Sequence, residues 1–163
     1  MSRIVFFVCL ILFLALPSPA KAQDEALSAH DVIELSTAQP ALSVGPVWVE
    51  MDVCGSGVVR GRVFLNSLAD YRDRASLNAF IPPWHRDAMQ ARLGAPPEEI
   101  LVGYRVRIYG EARQVRIDWL DETGQPTGQY YFQTQFHILG PRDLDIVMVD
   151  GEPVRATCGP LIG

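Results

Sequence analysis

The sequence predicts an all-β fold: a small closed or nearly closed antiparallel barrel with one short helix and an extra C-terminal hairpin. Three observations carry this. About eight short segments alternate apolar and polar residues with the period of half-buried strands. Only one segment, Pro82 to Gly94, has a confident helix signature, and it falls in the middle of the strand order. Residues 23–163 suffice for one core and not for two, and small antiparallel sheets of that size remove their edges by closing.

Residues 1–22 read as a signal peptide. Arg3 supplies the positive start, Ile4 to Leu16 is an uncharged apolar run, and Ala20-Lys21-Ala22 is a small-x-small cleavage pattern, so the mature chain is expected to begin at Gln23. A membrane helix needs about 20 apolar residues; Pro17 and Pro19 stop the run short of that. Cys9 follows Phe7-Val8 and lacks the small residues that precede a lipoprotein cysteine. The expectation is an exported protein, periplasmic or secreted, with no membrane span after cleavage.

Residues 23–45 are expected as an N-terminal leader, in which Asp31 to Thr37 behind Ser28 reads either as a short helix or as a mobile segment. The barrel is expected over 46–163. Val47, Val49, Met51 and Val53 alternate with Glu50 and Asp52. After Gly55-Ser56-Gly57, Val59, Val63 and Leu65 alternate with Arg60 and Arg62, and Gly61 inside this run predicts a bulge or sharp coil. Ala75 to Ile81 is a short strand after the polar stretch Asn66 to Arg74. Pro82-Pro83 then opens a helix with Trp84, Ala88 and Ala91 on one face, closed by Gly94.

Further on, Tyr104, Val106 and Ile108 alternate with Arg105, Arg107 and Tyr109; Gly110-Glu111 is expected as a turn; and Val115, Ile117 and Trp119 alternate with Arg116 and Asp118. In Tyr130 to Ile138 the even residues Tyr130, Phe132, Thr134, Phe136 and Ile138 suit barrel filling, which leaves Tyr131, Gln133, Gln135 and His137 facing outward. Asp150-Gly151 between Leu144–Val149 and Glu152–Thr157 is a hairpin signal.

Two cysteines follow the leader, Cys54 and Cys158, and an even pair in an exported chain predicts one disulfide. Charge is unevenly spread. Asp24 to Asp52 holds six acids and no base, Cys54 to Trp119 ten arginines against seven acids, and the remainder two arginines against six acids. The overall acidic balance argues against long nucleic acid as a partner, because phosphate affinity rests on Lys and Arg.

The run VRGRVFLNSLADYRDRASLNAFIPPW, the helix, and ILVGYRVRIYGEA are similar to bacterial OB-fold domains, including those associated with secreted nucleases. Gly61-Arg62-Val63, Leu77-Asn78, Ile81-Pro82 and Gly103 to Gly110 carry the resemblance, over Val58 to about Trp119. It implies an OB-like barrel and, as a ligand class, oligonucleotides or oligosaccharides laid across an exposed strand face. The hairpin Asp121 to Ile138 and the final hairpin depart from the pattern.

No catalytic constellation is found. His30, His85 and His137 lack metal-ligand spacing, and neither a Gly-x-Ser-x-Gly elbow nor a phosphate-cradling glycine loop is present, so no enzyme, metal or cofactor is expected. The binding candidates are Arg60, Arg62, Arg105, Arg107, Tyr109, Arg116, Tyr131, Gln133, Gln135 and His137. In that reading tyrosines stack on rings, glutamines bond polar edges and arginines meet anionic groups. The same residues equally suit a solvated sheet face, where arginine stems cover the strands and Arg–Asp pairs are ordinary.

The sequence therefore predicts an exported, non-catalytic binding or assembly module of the cell envelope. Its partner would be an envelope protein, an oligosaccharide or a short anionic ligand. A lipocalin-like barrel for a small apolar ligand and an accessory to nucleic-acid processing are the alternatives.

Overall fold

Alternation at period two decides which residues make strands, and two helices close onto the core the strands create. The computed structural model describes residues 25–159; the expected signal peptide and cleavage point lie outside them. The chain begins with β1 (Leu27–Ser28) and α1 (Ala29–Ala38). Ser28 caps α1 reciprocally: its hydroxyl accepts from the Asp31 N–H at 3.2 Å, and the Asp31 carboxylate accepts from the Ser28 N–H at 2.9 Å. Of the two readings for Asp31 to Thr37 the helix is the one found, and its Val32 is fully buried.

The strands that follow are β2 (Val44–Asp52), β3 (Gly55–Val59), β4 (Arg62–Asn66) and β5 (Leu77–Ile81). Then come α2 (Pro83–Leu93), α3 (Pro97–Ile100), β6 (Arg105–Leu120) and β7 (Pro126–Ile138). Three short strands end the order: β8 (Leu144–Ile146), β9 (Met148–Val149) and β10 (Glu152–Pro153). In the main sheet the neighbours run β1-β2-β6-β7-β5-β4-β3, with β8 also on β6; β9 and β10 pair by themselves around the expected Asp150-Gly151 turn. Alternate residues Val49, Met51, Val63, Leu65, Ala79, Val106, Ile108, Phe136 and Ile138 form one core, joined by Val32 of α1 and Met89 of α2.

Two features of the expected barrel are corrected. The sheet is mixed, because β5 and β7 run parallel. The chain leaves β5 through α2 and α3 and returns by the β6–β7 hairpin, so β7 reaches β5 in the same direction, a crossover that parallel pairing requires. The hydrogen-bonded path is also open, ending at β1 and β3, and no ring of paired strands closes. Its ends are nevertheless close in the chain. The Val53 N–H donates to the Tyr104 carbonyl and the Cys54 N–H to the Asn66 carbonyl, both at 2.9 Å. Cys54 is bonded to Cys158 across a Cα separation of 5.4 Å.

Three local expectations also change. Gly61 is not a bulge: Arg60 (φ 51°) and Gly61 (φ 78°) are the two central residues of the hairpin turn between β3 and β4, which needs positive φ at both. Gly110-Glu111 is not a turn, because β6 runs through it unbroken, with Gly110 opposite Ile138. A glycine inside a strand can mark close backbone approach, and a Cβ here would strike the His137 carbonyl and come within 2.8 Å of the Phe136 ring. In α2 the predicted apolar face is not the buried one: Trp84 is 73% exposed while Met89 is fully buried. Between them, Pro82 at the N-cap and Gly94 at the C-cap hold the ends where expected.

Among the described residues, no helix is long and apolar enough to cross a membrane. Gly110→Ala should destabilise the fold by at least about 2 kcal/mol through overpacking, read as a lower urea midpoint at unchanged slope.

Candidate functional site

Because β6 is continuous, side-chain parity carries through from Arg105 to Asp118, and this decides which residues share a face. Val106, Ile108 and Ala112 point into the core. Val115, Ile117 and Trp119, expected inward, therefore lie on the opposite face, and the register sets Val115 opposite Gln133 and Ile117 opposite Tyr131. On that outer face two rows cross three strands. Phe64 of β4 pairs with Phe80 of β5, which pairs with His137 of β7. One row along, Asn66 pairs with Asn78 and Asn78 with Gln135.

The second row is a ladder of carboxamides, and it is covered. Asn66 is 7%, Asn78 1% and Gln133 6% exposed. The Gln135 amide donates to the Gln133 side-chain oxygen at 3.2 Å, and the Gln133 amide donates to the Tyr71 carbonyl at 3.1 Å. Tyr71 reaches this position on the loop between β4 and β5. That loop is held by Asx turns, with the Arg72 N–H on Asp70 (2.9 Å) and the Ala75 N–H on Asp73 (2.8 Å). At its base the Leu77 N–H donates to the Ser67 hydroxyl at 2.8 Å.

The result is a cleft of about 380 Å³ on the outer side of the sheet, within the size range of ligand sites. Its lining is Ser56, Gly57 and Val59 from β3, Phe64 and Asn66 from β4, Tyr71, Asn78 from β5, Ile117 from β6, and Tyr131, Gln133 and Gln135 from β7. No Asp, Glu, Lys, Arg or His is among them. The Asn78 amide donates to the Ser76 carbonyl at 3.2 Å, but its Oδ1 is buried without a hydrogen-bond partner. A larger hollow, about 590 Å³, lies between α1 and the β6–β7 strands; no buried unpartnered polar atom lines it.

Of the residues singled out from sequence, Tyr131, Gln133 and Gln135 meet in the cleft, while His137 stacks on Phe80 in the neighbouring row. Tyr131, Gln133, Gln135 and His137 of β7 are half-buried or buried, not the solvated face expected, and the Tyr71 loop folds over Gln133. Among the even residues, Thr134, Phe136 and Ile138 are in the core, but Tyr130 is 51% exposed, since the hairpin extends past the body. Arg62 stands with its guanidinium 5.6 Å from the Phe80 ring centroid. Arg60 sits in the hairpin turn and on no strand face.

The other arginines lie elsewhere. Arg105, Arg107 and Tyr109 face β2: Arg105 is bidentate on Asp52 (2.7 and 3.2 Å), Arg107 lies 4.9 Å from the Trp48 ring, and Trp48 packs on Tyr109 at 5.0 Å. Arg116 has the opposite parity to Arg105 and Arg107, bonding Asp118 and covering Tyr130 at 4.1 Å. Sequence reasoning missed Asn66 as a site residue and named Asn78 only within a motif. Asparagine is depleted in strands, so two of them at outward strand positions was an available signal.

Burial holds the His137 imidazole below its ordinary pKa, against the opposing pull of Glu111 and with smaller contributions of the same sign from His85, Arg113 and Arg62. The ring stacks on Phe80 at 4.9 Å with a 1° interplanar angle. The Arg105 hydrogen bond, opposed by burial and aided by the Thr157 N–H, keeps the Asp52 carboxyl below its usual range. The chain matches no protein-family model and no curated protein.

A depressed histidine pKa means that the folded state binds the proton more weakly than the unfolded chain. The stability from neutral His137 is therefore complete above about pH 6.5, the unfolded value, and is lost as pH falls through the folded value. Urea midpoints measured between pH 7 and pH 5 should fall for the native chain, and His137→Phe should flatten that limb.

Proposed function

We propose that the chain is an exported, non-catalytic OB-like binding or assembly module of the cell envelope, with its ligand site in the carboxamide cleft on the outer face of β4, β5 and β7. The observation that carries the reading is that cleft: polar side chains withdrawn from water, roofed by a pinned loop, with one acceptor left without a partner. A sheet face that served only to be solvated would have no reason to bury three carboxamides, since burying polar groups costs free energy unless they are fully bonded.

The strand order supports the OB-like description. Counting β2 and β3 as one bent strand, five strands follow one another in Greek-key order, with a helix between the third and fourth and the third parallel to the fifth. In that architecture ligands cross the face of the second and third strands, the strands that carry Asn66 and Asn78. Export follows from the leader read in residues 1–22 and accords with the disulfide, since such bonds persist in oxidising compartments.

The lipocalin-like alternative requires an interior cavity, whereas Phe136, Leu65, Leu77, Ile81 and Ile108 are fully buried in a shared core. The arginine-stripe variant, with an anionic ligand on Arg105 and Arg107, draws no support from their positions, as both stand on β2 partners.

A thermal-shift survey of the oxidised mature protein with oligosaccharides and oligonucleotides tests the proposal. A ligand at one hundred times its Kd should add about 2.7 kcal/mol of stability. Tyr131→Ala should abolish that gain, and the double variant Arg105→Ala/Arg107→Ala should keep it. The converse pattern would return the site to the arginines, and no stabilisation by either class would leave only an assembly role.

A further inference from the structure

We infer that the cleft takes an uncharged saccharide chain, held by the carboxamides and laid against Tyr71 and Tyr131. The inference rests on the binding-module reading and names the chemistry of its ligand. Asn78 is the anchor. Its side chain lines the cleft and is 1% exposed, its amide is occupied by the Ser76 carbonyl at 3.2 Å, and its Oδ1 is buried with no partner. A buried acceptor left unbonded is costly, and a ligand that brings an O–H or N–H donor there removes that cost.

Three further properties choose among ligand classes. A carboxamide offers donors and an acceptor from one planar group, matching sugar hydroxyls, each of which also donates and accepts; Asn66, Asn78 and Gln135 repeat that offer across three neighbouring strands. The lining has no Lys or Arg. An oligonucleotide would therefore meet no lysine or arginine in the lining itself, although phosphate contacts with such residues dominate nucleic-acid affinity. A peptide adding as a strand needs an unpaired edge, and the strands that carry the carboxamides have none: β4 lies between β3 and β5, β5 between β4 and β7, and β7 between β5 and β6, while β3 at the end of the path brings only Ser56, Gly57 and Val59 to the lining.

The aromatic walls complete the match. Tyr71 is 42% exposed, which leaves ring surface for the C–H face of a pyranose. It is braced from behind, with Arg72 5.0 Å from its centroid and equally 5.0 Å from Trp119, whose ring packs on Tyr131 at 5.5 Å. Tyr131 and Gln133 are linked by a hydrogen bond at 3.4 Å, so stacking surface and polar floor form one unit.

The test is a 15N–1H titration of the oxidised mature chain, following the side-chain NH2 resonances of Asn66, Asn78, Gln133 and Gln135. The probes are N-acetylchitotetraose, cellotetraose, maltotetraose and a ten-residue oligothymidylate. At least one tetrasaccharide should shift these resonances, with an affinity that changes less than about twofold between low and high salt, where multiple phosphate contacts would lose about 10³–10⁵. Tyr71→Ala and Asn78→Leu should each weaken it about tenfold, the equivalent of about 1.4 kcal/mol. Should Asn78→Leu fail to fold, Tyr71→Ala, an exposed loop change, decides alone.

Undiminished affinity in Tyr71→Ala would overturn the placement. Oligothymidylate shifting these amides while the sugars do not would overturn the saccharide and leave the binding module standing. If no probe moves them, the saccharide inference and the cleft as a binding site fall together.

Discussion

Between Val53 and Cys54 the backbone changes hydrogen-bonding partner, and the remaining architecture depends on that handover. Up to Val53 the strand bonds β6 and its approach, ending with the Tyr104 carbonyl; from Cys54 it bonds β4, beginning with the Asn66 carbonyl. One stretch of chain therefore ties together the two extremes of the sheet path. The Cys54–Cys158 bond sits at this point and fastens the C-terminal segment there, where the Ala156 N–H donates to Gly103 and the Thr157 N–H to the Asp52 carboxylate, both at 2.9 Å. With a sequence separation of 104, the cross-link encloses every strand of the main sheet except β1 and β2. In the chain-entropy model a loop of that order stabilises by about 4.7 kcal/mol.

The cleft is a consequence of unequal strand lengths. β6 and β7 pair from Gly110↔Ile138 out to Leu120↔Pro126, whereas β5 accompanies β7 only over Thr134 to His137. Beyond Thr134 the outer face of the hairpin has no neighbouring strand, and the β4–β5 loop occupies that side, bringing the Tyr71 carbonyl onto Gln133. Glycine at 110 is what keeps this hairpin straight and close, because the His137 backbone stands where a side chain would be. A turn at that point would have reversed the parity of every residue after it and moved Ile117 and Tyr131 away from Gln133.

The same position explains what was legible in the sequence and what was not. Alternation located the strands, the inward residues Val49, Val53, Val63, Val106, Ile108, Phe136 and Ile138, the α2 caps and the Asp150-Gly151 turn, since each is a local signal read from neighbours within a few residues. Gly61 and Gly110 defeated local reading in opposite directions: one is a turn taken for a bulge, the other a strand taken for a turn. A glycine permits both, and the choice is made by a partner strand distant in sequence. The disulfide was legible because only two cysteines, Cys54 and Cys158, follow residue 22. Tyr131, Gln133 and Gln135 were legible as a face, but their burial was not, because it comes from a loop 62 residues earlier. Asn66 and Asn78 drew less notice than the arginines, although a neutral residue uncommon in strands is more informative there than a charged one.

The arginines themselves show why a charge profile along the chain is a weak guide to binding. The basic middle of the sequence lies, in the fold, against its acidic flanks: Arg105 of β6 on Asp52 of β2, and Arg92 of α2 on Asp145 of β8. Within the middle, Arg86 bonds Glu98 and Arg116 bonds Asp118. Arg72 and Arg107 cover aromatic rings. An excess of arginine between two acidic segments is thus the linear image of a sheet whose central strand pairs with strands from both ends. The more exposed of these, Arg92–Asp145 and Arg116–Asp118, contribute little individually, about 0–1 kcal/mol, but cross-strand pairs of opposite charge such as Arg105–Asp52 disfavour a slipped register. The surface proposed for recognition is one that charge does not mark: a ladder of carboxamides, neutral in sequence and withdrawn from water in the fold.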